Sequence, residues 1–228
     1  MKWIVVIVFG VLSAAFAEAA PWVREPGETY ARLTFNHTWA EHAPDWRADL
    51  YTEYGLSKTR TLTFKHEASA SYKTPSERGE AWQIGLRQQL YRGYGLTASF
   101  ETTAFQRRPL TRSPEDCLGT GLEVRSGLAW SGQIVRHPLY VYGETAWRTL
   151  ADCDLRRADF GLGTQLYSAL WGHIEVWQAR QRTYWRSDKL QAELIWRSEA
   201  LAYSVGYRTE LNAAYEETGL ILAISRIW

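Results

Sequence analysis

Residues Tyr215 to Trp228, YEETGLILAISRIW, decide how the rest of the chain is read. Taken every second residue, Leu220, Leu222, Ile224 and Trp228 fall on one side, and Gly219, Ala223 and Ser225 on the other. Ile221 and Ile227 are set between. A period of two belongs to a β-strand, whose successive side chains point to opposite faces. One face here is large and apolar, the other mostly small. No polar tail follows the terminal aromatic. A strand of this kind is expected to lie against hydrocarbon.

Working back, the same alternation recurs. Residues 61–73 carry Leu62, Phe64, Ala68, Ala70 and Tyr72 on one face, and Thr63, Lys65, Glu67, Ser69, Ser71 and Lys73 on the other. Ala31, Leu33, Phe35 and Trp39 alternate with Arg32, Thr34, Asn36 and Thr38. Leu201, Tyr203, Val205 and Tyr207 alternate with Ala202, Ser204, Gly206 and Arg208. The segment from His173 is the least regular: Ile174 and Val176 flank Glu175, but Trp177 breaks the pattern. The whole chain yields about twelve such segments, the even number a single-chain barrel uses.

Composition fits this reading. Mean hydropathy is only −0.35 and net charge is +1, yet the chain holds 12 Trp, 13 Tyr and 7 Phe. In a transmembrane barrel only alternate strand residues meet lipid, so hydropathy stays low while aromatics gather at the two interfaces. The near-neutral charge excludes a nucleic-acid partner of the usual basic kind.

The connections form two sets. Those around Pro44, Pro75, Cys117, Cys153, Trp185 and Asn212 are longer or more polar, and residues 149–157 read as a charged loop. Those around Lys58, Gly93, His137, Leu170 and Ser198 are short. The two sets alternate along the chain, as outer loops and inner turns do in a barrel with both ends on the inner side. Tyr54-Gly55-Leu56 and Tyr94-Gly95-Leu96 echo each other near two of the inner turns.

The N-terminus reads as a secretory signal peptide. Lys2 is the charged head, Trp3 to Leu12 the short apolar core, and Ala17, Ala19 and Ala20 the small residues of a cleavage site. Residues 1–20 are assigned to it, and 21–228 to one barrel domain, with 20–28 a polar lead-in.

The closing stretch, with its terminal aromatic and alternating apolar residues, resembles the last strand of Gram-negative outer-membrane β-barrels. That resemblance implies the bacterial outer membrane as location. It also implies Leu220, Leu222, Ile224 and Trp228 as the signal read by the barrel-assembly machinery, and outer-membrane lipid and lipopolysaccharide as surroundings. Arg226 departs from the family pattern, which has an apolar residue there; near the interface an arginine snorkels. The hairpin beginning Tyr51-Thr52-Glu53-Tyr54-Gly55-Leu56 resembles one in transporter-like barrels, including the family linked to phenol-degradation pathways. It implies transport.

The inward set expected to line the lumen is Arg32, Glu53, Lys65, Glu67, Arg87, Glu101, Glu123, Arg125, Glu144, Arg148, Asp159, Glu175, Glu193, Arg197 and Arg208. Both signs are interleaved. They either line a narrow wet channel or pair across the lumen and plug it. Cys117 and Cys153, the only cysteines, fall in neighbouring outer connections of an exported chain, so a disulfide is expected between them. No cofactor or metal site is read. His37 and His66 fall by parity on the lipid face, where a polar group is costly. They raise the alternative of an embedded lipid hydrolase, against the simpler reading of interface residues. The leading expectation is an all-β, single antiparallel transmembrane barrel that passes a small solute. A non-conducting structural barrel is the third reading.

Overall fold

The structure, a computed structural model, describes residues 21–40, 45–71, 78–108, 119–134, 137–150, 153–181, 186–212 and 217–228. These form twelve antiparallel strands: β1 Thr29–Ala40, β2 Asp45–Ser57, β3 Arg60–Ser71, β4 Arg78–Gly93, β5 Leu96–Arg108 and β6 Gly119–Ile134, then β7 His137–Leu150, β8 Cys153–Tyr167, β9 Leu170–Gln181, β10 Arg186–Arg197, β11 Leu201–Asn212 and β12 Glu217–Ile227. Each pairs with its neighbours in sequence, and β12 returns to β1 in a register from Tyr30 opposite Ile227 to Ala40 opposite Glu217. Closure leaves no sheet edge, which hydrocarbon demands because it offers backbone groups no other partner.

The barrel is polar inside and apolar outside. Along β12, Leu222 is 58% exposed on the outer wall while Ile221, beside it, is 1% exposed in the interior. Ile221 and Ile227 therefore belong to the inner face, with Gly219, Ala223 and Ser225. Exposed aromatics mark two belts. Tyr54, Tyr91, Tyr94, Tyr167, Trp196, Tyr203 and Trp228 ring the end with the short turns; Trp39, Trp46, Trp82 and Trp147 lie toward the other end. Such belts sit at the two headgroup layers of a bilayer.

Strand limits differ from the sequence reading where charge was taken for a loop. Residues 149–157 are mostly strand: β7 runs to Leu150, β8 starts at Cys153, and Arg156 and Arg157 lie opposite Trp147 and Ala146. Near the rim, a charged side chain reaches water from either face, so charge there does not end a strand. The echo of Tyr54-Gly55-Leu56 and Tyr94-Gly95-Leu96 also splits. Tyr94 and Gly95 form the β4–β5 turn with φ of 54° and 77°, the positive pair a tight hairpin needs. Gly55 lies inside β2 and serves a different purpose. Residues 1–20, Cys117 and the side chain of Cys153 lie outside the described residues, so the signal peptide and the disulfide pairing lie there too.

Candidate functional site: the lumen

Alternation places the fifteen expected inward residues on the inner wall. Arg32, Glu53, Arg87, Glu101, Glu123, Glu144, Arg148, Asp159 and Glu193 are buried there, and Lys65, Glu67, Arg125, Glu175, Arg197 and Arg208 are partly so. Charged groups at such depth must be paired. Arg87 donates from Nη1 to Glu53 Oε1 and from Nε to Glu101 Oε2, each at 2.8 Å. Arg125 joins Glu144 at 3.0 Å and Glu123 at 2.9 Å, and Arg148 takes the other oxygen of Glu123 at 2.7 Å. Arg32 reaches past β12 and β11 to Glu193 at 2.9 Å. Among the described residues these pairs follow the wall, within one strand or between strands one to three places apart. They brace the barrel and leave the axis to other groups.

What fills the axis at the short-turn end is the segment before β1. Gly27 N donates to Gly55 O at 2.8 Å, and Gly55 N to Glu28 O at 2.9 Å. A Cβ at position 55 would stand 1.9 Å from Glu25 O, so only glycine lets the strap lie on the wall. From there the chain climbs the interior. Arg24 donates from Nε to Glu53 and from its backbone N to Thr61 Oγ1 at 2.8 Å. Arg87 Nη1 donates to Trp22 O at 3.0 Å. The Trp22 ring meets Tyr140 and Tyr142 edge-on, at 5.8 and 6.3 Å. Pro21 is fully buried beside Gly127 and Glu144. The polar lead-in is thus an internal strap. No periodicity announced it, because it is held by isolated contacts from many strands.

Among the described residues, cavities lie on either side of the strap. One of about 130 Å³ lies at the short-turn end, walled by Arg24, Tyr30, Tyr140, His173, Ile195 and Arg197. The other, about 330 Å³, opens toward the longer connections. Among the described residues, ten cationic side chains line it, Arg32, Arg47, Lys65, Arg87, Arg107, Arg125, Arg148, Arg157, Lys189 and Arg208, against four acids, Asp49, Glu67, Glu101 and Glu175. The wall as a whole balances the two signs, as its sequence does, whereas the described cavity surface is weighted toward cations. Glu123 and Glu144 grip guanidiniums from behind without lining the space themselves.

Several residues of this interior carried no clear sequence signal. Trp177, the pattern breaker of β9, points inward and carries Arg208 at 4.7 Å and Arg157 at 5.9 Å from its ring centroid. Tyr140, Tyr142, Trp171 and Ile195 form a buried cluster with Ala129, and Arg197 lies over Trp171 at 4.1 Å. Tyr140 and Tyr142 stand opposite Gly163 and Gly161 in the β7–β8 register, and their rings cover those glycines. This aromatic–glycine pairing across strands was the available signal. On the outer wall, His37 stacks on Trp46 at 4.3 Å and tilts against Trp39 at 4.5 Å, and His66 Nε2 lies 3.1 Å from Glu80 Oε1.

The geometry defines a transmembrane barrel of outer-membrane type whose half-lumen is lined by charged side chains. Solved structures agree on the fold. The NanC porin superposes with TM-score 0.66 at 8% identity, covering 86% of this chain and 98% of that one. The KdgM porin gives 0.58 at 6% over 86% and 98%. The COG4313 outer membrane channel from Pseudomonas putida F1 gives 0.59 at 10% over 93% and 100%. No family model matches the sequence, and no curated protein does. What these structures share with this chain is the barrel fold.

Proposed function

We propose that the chain is an outer-membrane channel for small anionic solutes, with the strap as its constriction. One observation carries this reading: among the described residues, ten cationic against four acidic side chains line the wider cavity. In a low-dielectric tube such an excess focuses field and concentrates anions, and rings of Arg and Lys select for them. Trp177, with two guanidiniums over its ring, adds an aromatic surface beside the cationic groups. A KdgM porin of the same fold was solved with oligogalacturonate, an acidic saccharide, which supports this class of cargo.

The test is a reversal potential across planar bilayers under a KCl gradient. The wild type should favour chloride, and Arg157→Glu with Arg208→Glu should move the potential toward the cation side. A cation-selective wild type would overturn the reading, and so would a current that ignores both substitutions. His37 and His66 are inferred to be members of the outer interface belt. Lipid hydrolysis by purified protein, abolished by His66→Ala, would reverse that assignment.

A further inference from the structure

The outer wall carries a second basic feature, away from the lumen. Arg156 of β8 lies directly opposite Arg180 of β9, and Arg180 directly opposite Arg186 of β10. All three are exposed on the face that elsewhere bears apolar side chains. Like charges set opposite one another across strands are destabilising. Arg186 has a partner, donating from Nε to Asp188 at 2.6 Å. Arg156 and Arg180 have no hydrogen-bond or ion-pair partner among the described residues. Asp154, on the same strand, is not within ion-pair distance of either among those residues. The arrangement makes sense with an anion between the two guanidiniums.

The setting says which anion. Arg156 is also opposite Trp147, a member of the belt that marks the headgroup layer toward the longer connections. Below the arginines the wall does not return at once to large apolar residues. Ser126, Thr145 and Gln178 join Trp147, Arg156 and Arg180 around a groove of about 610 Å³. Two adjacent guanidiniums fit a phosphate monoester through paired N–H···O bonds, and the hydroxyls and amide below fit sugar hydroxyls. The groove opens sideways, toward the bilayer. We propose that it binds a phosphorylated glycolipid of the outer leaflet, with the phosphate held between Arg156 and Arg180.

Native mass spectrometry of the mature barrel in detergent tests this, with diphosphorylated lipid A as probe. The wild type should retain the lipid, and Arg156→Gln with Arg180→Gln should weaken it roughly tenfold or more, as loss of a charge-assisted bidentate site implies. The Lys pair at the same positions should recover part of the affinity. On unmodified protein, lipid A stripped of phosphate should bind as weakly as the full lipid binds to the Gln pair. Equal binding by the wild type and a Gln pair that keeps its heat-sensitive gel mobility would overturn the proposal. Displacement by inorganic phosphate at equal concentration would also overturn it, assigning the site to free phosphate.

Discussion

The guanidinium of Arg24 donates, from inside the barrel, to the carboxylate of Glu53 on β2. The other oxygen of that carboxylate is held by Arg87 at 2.8 Å. One buried acid therefore ties the N-terminal strap to the wall. Charge-assisted hydrogen bonds of this kind contribute about 1.5–3 kcal/mol, enough to keep the strap seated most of the time. Arg24→Ala with Trp22→Ala should release it, giving larger single-channel steps and more frequent transitions in planar bilayers. Unchanged step size would show that the strap does not set the constriction.

Arg87 is the best-buried cation of the inner wall, at 1% exposure, and serves two acids and the Trp22 carbonyl. Removing one member of a buried ionic group leaves the others uncompensated, at a cost of about 3–5 kcal/mol. Arg87→Met should therefore lower unfolding stability in lipid vesicles by that order. Adding Glu101→Gln should recover part of the loss, since Glu53 keeps Arg24 as its partner. If Arg87→Met alone is neutral, the network does not brace the wall.

Gly163 faces the Tyr140 ring. A Cβ there would stand 2.1 Å from the ring's Cζ. Gly163→Ala should cost about 1–3 kcal/mol through overpacking, and Tyr140→Ser should relieve it. A double-mutant cycle on urea unfolding measures the coupling; strict additivity would mean the ring does not need the glycine.

Leu222 and Ile221 are neighbours on opposite faces of β12. Leu222→Arg puts charge into hydrocarbon and should cost about 2–4 kcal/mol if the site is near the bilayer midplane. Ile221→Thr should cost less, since it faces a polar interior. The same vesicle unfolding assay ranks them, and a reversed order would invert the face assignment.

How much was legible beforehand depends on period. Lumen and lipid faces could be assigned from residues such as Lys65 and Phe64, because a strand's side chains alternate whatever the fold around it. The aromatics that ring the barrel were visible as composition and expected at two interfaces, though which residue joins which belt was not. Trp177 was read as noise, since a large aromatic inside a barrel breaks the hydropathy pattern unless its cationic partners are known. Arg156 was read as part of a loop, since charge near a rim resembles charge in a turn.

Sequence alone was sufficient for the strand period, the outward face of Leu220, Leu222, Ile224 and Trp228, and closure into a ring, because each follows from local alternation and from the need of every backbone group for a partner. Only the tertiary structure decided that Pro21 and Trp22 lie inside, that the cavity surface is cationic although the wall is mixed, and that Arg156 meets Arg180. Those facts depend on register and on which acids stand behind which guanidiniums, and such relations join residues far apart in the chain.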